Sequence, residues 1–422
     1  MNHFFWVVVL ALAGSLVGVS SRAQPSVHPS PADPPGLVSP PTAISLRTAL
    51  DAAWQRAVEA RVAEAQIRRA DADRSVARSP WASPPSLALS HRDDRFQGNA
   101  GRREVELGLA VPMWLPGQRS ARADTAETMV LHAQFAEQVA RLRLADEVQA
   151  TAWQIVGIQT EARQAEVQVA TLQQLADDVD RRVRAGDLAR ADSLIARAEL
   201  LAASSALGGI VQKLQAAQAR WTLLTGLSTL PELAVVPAPD KDTADLTIHP
   251  EWQMAKQSSE LARQRLKLLR SSRRDPPEMA VGVRQDMAGR GEAVQGSVVI
   301  GVRLPFSTDD RNRPLEAAAL SDLEIARVRE ERLQQRLNSD LALARETQRA
   351  IQAQLDADRK GAQLLRERAA LIQKSFLAGE TPLPELLRVM ATAAQAESAV
   401  ARQTAALGLA GARLQQALGF LP

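Results

Sequence analysis

One short run carries residue types suited to metal binding or acid–base work: His91-Arg92-Asp93-Asp94 sets an imidazole beside two carboxylates. Such a group could ligate a divalent ion or relay a proton. It falls where a strand end meets a polar hairpin loop, and exposed polar loop residues are far commoner than sites. The other 4 of the chain's 5 histidines are scattered, and one of them is His3, close to the N-terminus. HExxH, GxSxG and phosphate-loop patterns are all absent. The chain has no cysteine, which excludes disulfides, thiol catalysis, cysteine zinc sites and a cysteine-borne lipid anchor. No enzyme chemistry, cofactor or stable metal site is expected.

The elements that must position this run are built twice. Pro112, Gly186 and Gly226 recur as Pro305, Gly379 and Gly419, 193 residues on in each case. Val105, Leu107, Leu109, Val111 and Met113 alternate with smaller or polar residues, and Val298, Ile300, Val302, Leu304 and Phe306 repeat the pattern. Period two reads as a strand with one apolar face. Val169, Leu172, Ala176, Val179 and Val183 form a heptad seam whose counterparts are Ala362, Leu365, Ala369, Ile372 and Phe376. Each half therefore reads as a helix, two strands and a long helical hairpin. Ser45 is placed to cap a first helix running unbroken to about Arg78. Long helices are expected over 118–185 and 315–378, with Gly186 and Gly379 as left-handed caps. Asp187 and Thr381 are placed to cap the return helices, and Pro382 to sit in the first turn of the second.

Residues 1–23 read as a secretory signal peptide: an apolar stretch from Phe4 to Val19 too short to span a bilayer, then Ser21-Arg22-Ala23 as a cleavage pattern. No later stretch is expected to cross a membrane as a helix. Residues 24–44 read as a proline-rich linker, 45–227 as the first repeat with strands near 86–92 and 103–113, and 228–246 as a second linker. The second repeat covers 247–422, with strands near 278–285 and 293–306. Charges are dense but balanced, 51 basic against 48 acidic residues, so no face is built for nucleic acid.

Four amphipathic strands cannot close a barrel, and an open edge cannot sit in lipid with its backbone groups unpaired. Three chains would supply twelve strands, an even number wide enough for a water-filled lumen. At this point the chain resembles the TolC-like outer-membrane efflux protein family over essentially its whole mature length. The carriers are Ile44-Ser45-Leu46-x-x-Ala49-Leu50, the junctions Val111-Pro112 and Leu304-Pro305, the tips Ala185-Gly186-Asp187 and Ala378-Gly379-Glu380, and the ends Leu224-Thr225-Gly226-Leu227 and Ala417-Leu418-Gly419-Phe420. The family often has Asn-Pro early in each half; here those places hold Ala57-Val58 and His249-Pro250. Length and the lack of large insertions place it nearest the metal-cation (CzcC-like) branch.

The resemblance implies a mainly α fold with a small membrane β-barrel: a homotrimer with a shared 12-stranded barrel and an α-helical tube. It would stand in outer-membrane lipid and the periplasm, joined to a periplasmic adaptor and an inner-membrane RND-type pump. It also implies a periplasmic gate at Asp192, Glu385 and Arg388; Arg388 stands where the family has a second acid. Helix N-terminal charge preference explains Asp192 and Glu385 equally well. Gly186, Asp187, Gly379 and Glu380 would meet the adaptor, although turn geometry alone accounts for the glycines. Trp81, Trp114 and Phe306 would form membrane-interface aromatics or pack the barrel-to-helix junction. Val298, Ile300, Val302 and Leu304 would face lipid, and Ser297, Gly301 and Arg303 the lumen. The alternative is a periplasmic coiled-coil adaptor, which requires one helical hairpin flanked by compact β-domains.

Overall fold

The computed structural model describes residues 44–234 and 245–422. The leader and almost all of the 24–44 linker lie outside the described residues, as does much of the 228–246 linker.

The first helix is two helices. Ser45 Oγ accepts from the Thr48 amide at 3.1 Å and starts α1 (Leu46–Arg56); the chain turns extended at Ala57, with ψ near 139°, and α2 (Val58–Ala77) follows. The expected unbroken helix is thus corrected. The break falls at the first-half position matching His249, so the bend persists without the Asn-Pro that would signal it. Burial holds α1 in place: Ala49, Leu50 and Ala53 pack with Val148, Ala152, Ile155 and Trp221 in one buried cluster. In the second half, a single 3-10 turn at 246–248 precedes α5 (Pro250–Ser271), and the His249 Nδ1 accepts from the Glu251 amide at 3.2 Å.

Strands β1 (Ser86–Asp93), β2 (Arg103–Pro112), β3 (Glu278–Met287) and β4 (Gln295–Arg303) form one antiparallel sheet in sequence order. The central β2–β3 pairing joins the two halves, with Leu107 opposite Val283 and Leu109 opposite Val281. Phe306 and Leu304 lie beyond β4, which is shorter than the 293–306 alternation suggests.

Two helices dominate what remains. α3 (Gln118–Ala185) has 68 residues and α6 (Asp309–Leu377) has 69, each about 100 Å long at 1.5 Å per residue. α6 begins six residues earlier than expected and carries Pro314 in its second turn. Asp309 and Asp310 complement its N-terminus, and Arg311 makes a forked pair with Asp275 at 3.1 and 3.3 Å. α4 (Arg190–Thr225) returns along α3, and α7 (Leu383–Ala417) along α6, while α3 also packs on α2, α5 and α7. The caps differ from expectation. Ala189 and Pro382 occupy the N-cap positions, not Asp187 and Thr381.

α4 passes by length and composition as a membrane span, with mean hydropathy 1.5 over 18 residues, of which 6% are buried. Its alanines, glycines and leucines raise hydropathy without making a bulky apolar rod, so composition alone lets it pass. It lies along α3 as the second arm of a hairpin.

His249 is buried, and that burial lowers its pKa from the usual 6.5 despite the opposing pull of Glu251. The folded state therefore favours the neutral ring, so its stability contribution is present above about pH 6.5 and is lost as pH falls through the lowered value. We expect the melting temperature to drop between pH 7.5 and 5.5, and His249→Asn, which keeps a capping acceptor, to flatten that drop. An equal slope in the variant would assign the effect elsewhere.

Candidate functional site

The two hairpin tips are the same construction. Gly186 (φ 89°) and Gly379 (φ 80°) are left-handed, where a side chain would be strained. The amides of Gly186 and Asp187 donate to the carbonyls of Val183 and Arg182 at 3.2 and 2.9 Å; those of Gly379 and Glu380 donate to Phe376 and Ser375, both at 3.0 Å. These paired bonds end a helix without orphaned carbonyls. All four expected tip residues are exposed.

The tips rest on each other. Leu172, Ala176 and Val179 of α3 form a buried cluster with Ala196, Phe376, Leu383, Leu386 and Leu387. Arg182 ties α3 to α6, its guanidinium 5.2 Å from the Phe376 ring. Asp180 accepts from Arg197 at 2.6 Å and from Ser193 Oγ at 2.5 Å, and these bonds, the guanidinium's foremost, hold its carboxyl below the usual range.

Of the candidate gate residues, Asp192 bends back so that its Oδ2 accepts from the Ala189 amide at 3.2 Å. Glu385 and Arg388 are one group: the guanidinium grips both carboxylate oxygens at 2.8 to 3.0 Å. Arg368 of α6 adds a contact to Glu385 at 3.3 Å. Sequence reasoning missed Arg368, because nothing in spacing links residues on facing arms of a hairpin. Asp192 and Glu385 sit on different hairpins, on α4 and α7.

At the other end, every odd-numbered β2 side chain from Val105 to Val111 shares a face with Leu87, Leu89, Met279, Val281, Val283, Val298, Ile300 and Val302. Val281 is 48% exposed and Ile300 72%, and among the described residues nothing covers this face. From Val105 to Met113 it extends about 27 Å at ~3.4 Å per residue. The opposite face carries Arg92, Glu104, Glu106, Arg284 and Ser297, with Glu104 bridged to Arg284 at 3.1 Å and Arg92 at 3.6 Å. β1 and β4 each keep one unpaired edge.

At the junction, the Trp114 indole donates to the Ser79 carbonyl at 3.1 Å, and the Met113 amide donates to the Pro277 carbonyl at 2.7 Å. Trp114 is therefore half-buried packing, whereas Trp81 and Phe306 are exposed, Phe306 by 87%. Of the His91–Asp94 run, His91 and Asp93 approach each other at 3.5 Å, while Asp94 turns away to the loop. Asp94 accepts from the Ala100 and Gly101 amides at 2.7 and 3.1 Å and organises the loop. Among the described residues no cluster of three or more potential metal ligands occurs.

No protein-family model and no curated protein matches this chain. Solved structures do. CusC, studied for folding and transmembrane channel formation, superposes with TM-score 0.76 at 16% identity, covering 89% of this chain and 92% of that one. The outer membrane protein VceC from Vibrio cholerae gives 0.72 at 14%, covering 89% and 96%. The Campylobacter jejuni CmeC outer membrane channel gives 0.71 at 12%, covering 94% of each. The chain thus has the TolC-like channel fold: mostly helical, with a small antiparallel sheet. Two hairpins and one shared sheet disfavour the adaptor alternative.

Proposed function

We propose that this chain is the outer-membrane duct of a tripartite efflux system, a passive homotrimer carrying substrate outward from an RND-type pump and its periplasmic adaptor. One observation carries the reading: the same four-stranded sheet has two unpaired edges and an uncovered apolar face. In lipid the edges need partners, and three copies joined β4 to β1 satisfy them while turning the apolar face outward. The charged face then lines a lumen, and the hairpins continue the conduit into the periplasm. The exposed outer face of α4 is covered by a neighbouring chain. The similar solved channels support this reading through the fold they share with it.

The tips Gly186-Asp187 and Gly379-Glu380 meet the adaptor, and Asp192, Glu385 and Arg388 form the gate. The chain's length and lack of large insertions resemble the metal-cation branch, which supports metal cations as cargo, with substrate choice residing in the pump; such an ion passes through and is not a resident cofactor. The test is ion conductance of the detergent-extracted protein in a planar bilayer, with oligomeric mass measured on the same sample. A trimer giving small, cation-preferring steps is expected. A water-soluble monomer or dimer without conductance would overturn the reading.

The gate geometry refines the selectivity expectation. Glu385 is neutralised by two guanidiniums, whereas the Asp192 carboxylate accepts from the Ala189 amide and has no ion pair among the described residues. Asp192→Ala should therefore lower cation preference more than Glu385→Ala. Unaltered reversal potentials in the double variant would remove the acidic mouth.

A further inference from the structure

The His91–Asp94 run has a defined height on the sheet. Asp93 is paired with Arg103 and Arg103 with Met287, while His91 is paired with Val105. His91, Asp93 and Arg103 therefore share the face of Leu89, Leu107 and Val283, with His91 in the last row of the apolar band beside Val105 and Asp93 and Arg103 one row beyond it, at the loop end. Arg95 folds back from the loop to Asp93 Oδ2 at 3.2 Å, and His91 Nε2 lies 3.5 Å from the same oxygen. Arg103 is exposed and makes no ion pair with the Asp93 opposite it, nor is any other ion pair of it found among the described residues. Beside Arg95, the Phe96 ring is 99% exposed. The cations of the other face are differently placed, Arg92 and Arg284 sharing Glu104. One carboxylate among two guanidiniums and an imidazole leaves this belt positive, directly above an apolar strip.

We propose that the belt binds the phosphate groups of a phosphorylated lipid in the outer leaflet, with Arg95 and Arg103 as phosphate ligands and Phe96 seated at headgroup level. The inference rests on the barrel reading, in which the β1–β2 loop lies on the side away from the helices and so at the outer surface. Guanidinium forks match phosphate oxygens, an interfacial aromatic suits the headgroup layer, and the strip below accepts acyl chains. A soluble anion would meet the charges but make no use of the strip.

The test reconstitutes the full chain into phosphatidylcholine vesicles with or without bisphosphorylated lipid A. Flotation first establishes insertion; the lipid A retained after re-extraction is then quantified by mass spectrometry. Wild-type protein should retain lipid A and not its dephosphorylated form. The Arg95→Gln/Arg103→Gln double variant should retain roughly tenfold less, as expected on losing two charge-assisted contacts, and the corresponding double lysine variant should retain most of it. Equal retention by the Gln variant, or equal retention of dephosphorylated lipid, overturns the proposal. Stripping by excess inorganic phosphate would reassign the belt to soluble phosphate and overturn the lipid assignment. Failure to float with either vesicle overturns the barrel reading itself, and is seen before any lipid comparison.

Discussion

Gly408→Val should destabilise the helical portion by about 3 kcal/mol per chain, the upper end of overpacking costs in a filled interior. A Cβ at Gly408 of α7 would lie 2.2 to 2.4 Å from three ring atoms of Trp153 on α3. That indole is 6% exposed, and a turn further along, a Cβ at Gly157 would come within 3.1 Å of Ala405. The two helices therefore approach through small residues, with the indole as a knob in the hole that Gly408 leaves. Even Gly408→Ala should lose stability, although alanine in a helix is intrinsically better than glycine by about 1 kcal/mol. Urea unfolding of the extracted protein followed by circular dichroism measures both effects. Trp153→Leu should partly restore Gly408→Val while destabilising the wild-type background, a coupling of opposite signs that identifies the clash. A Gly408→Val variant as stable as wild type would mean that α3 and α7 do not meet here.

This contact shows where sequence reasoning runs out. The alternation at Val105–Val111 and the glycines at 186 and 379 were legible because strand period and left-handed caps are local properties, fixed by a few neighbouring residues. Gly408 carried no signal, since a glycine inside a helix is explained only by what faces it, 255 residues away in Trp153. Arg368 escaped for the same reason: its meaning comes from Glu385 on the opposite arm. The break at Ala57 was hidden because burial of Ala49, Leu50 and Ala53 against α3, and not a proline, holds α1 at its angle. Conversely, duplication made the long helices and their hairpins legible twice over. It failed where the halves differ: the first has the 11-residue α1, the second only a 3-10 turn before α5 among the described residues.

Val281→Arg is expected to abolish assembly into the outer membrane, and its effect separates the membrane reading from every soluble alternative. Val281 lies in the middle of the apolar band, between Leu109 of β2 and Ile300 of β4. Arginine on the lipid face near the midplane of a barrel costs about 2–4 kcal/mol, so a trimer would bear roughly 6–12 kcal/mol, comparable to the whole stability of a domain. Were the sheet instead bathed in water, a side chain already 48% exposed could become arginine within about 0.5 kcal/mol. Ser297→Arg is the control. It sits on the opposite, charged face across from Arg284, and the barrel reading predicts that it inserts and alters conductance without loss of protein. Outer-membrane fractionation and heat-modifiable migration of both variants decide the matter: the lipid-face variant should vanish from the membrane fraction while the lumen-face variant remains. Val281→Arg protein recovered there at wild-type abundance would mean that the apolar face never meets lipid, and the unpaired edges of β1 and β4 would then need a soluble partner.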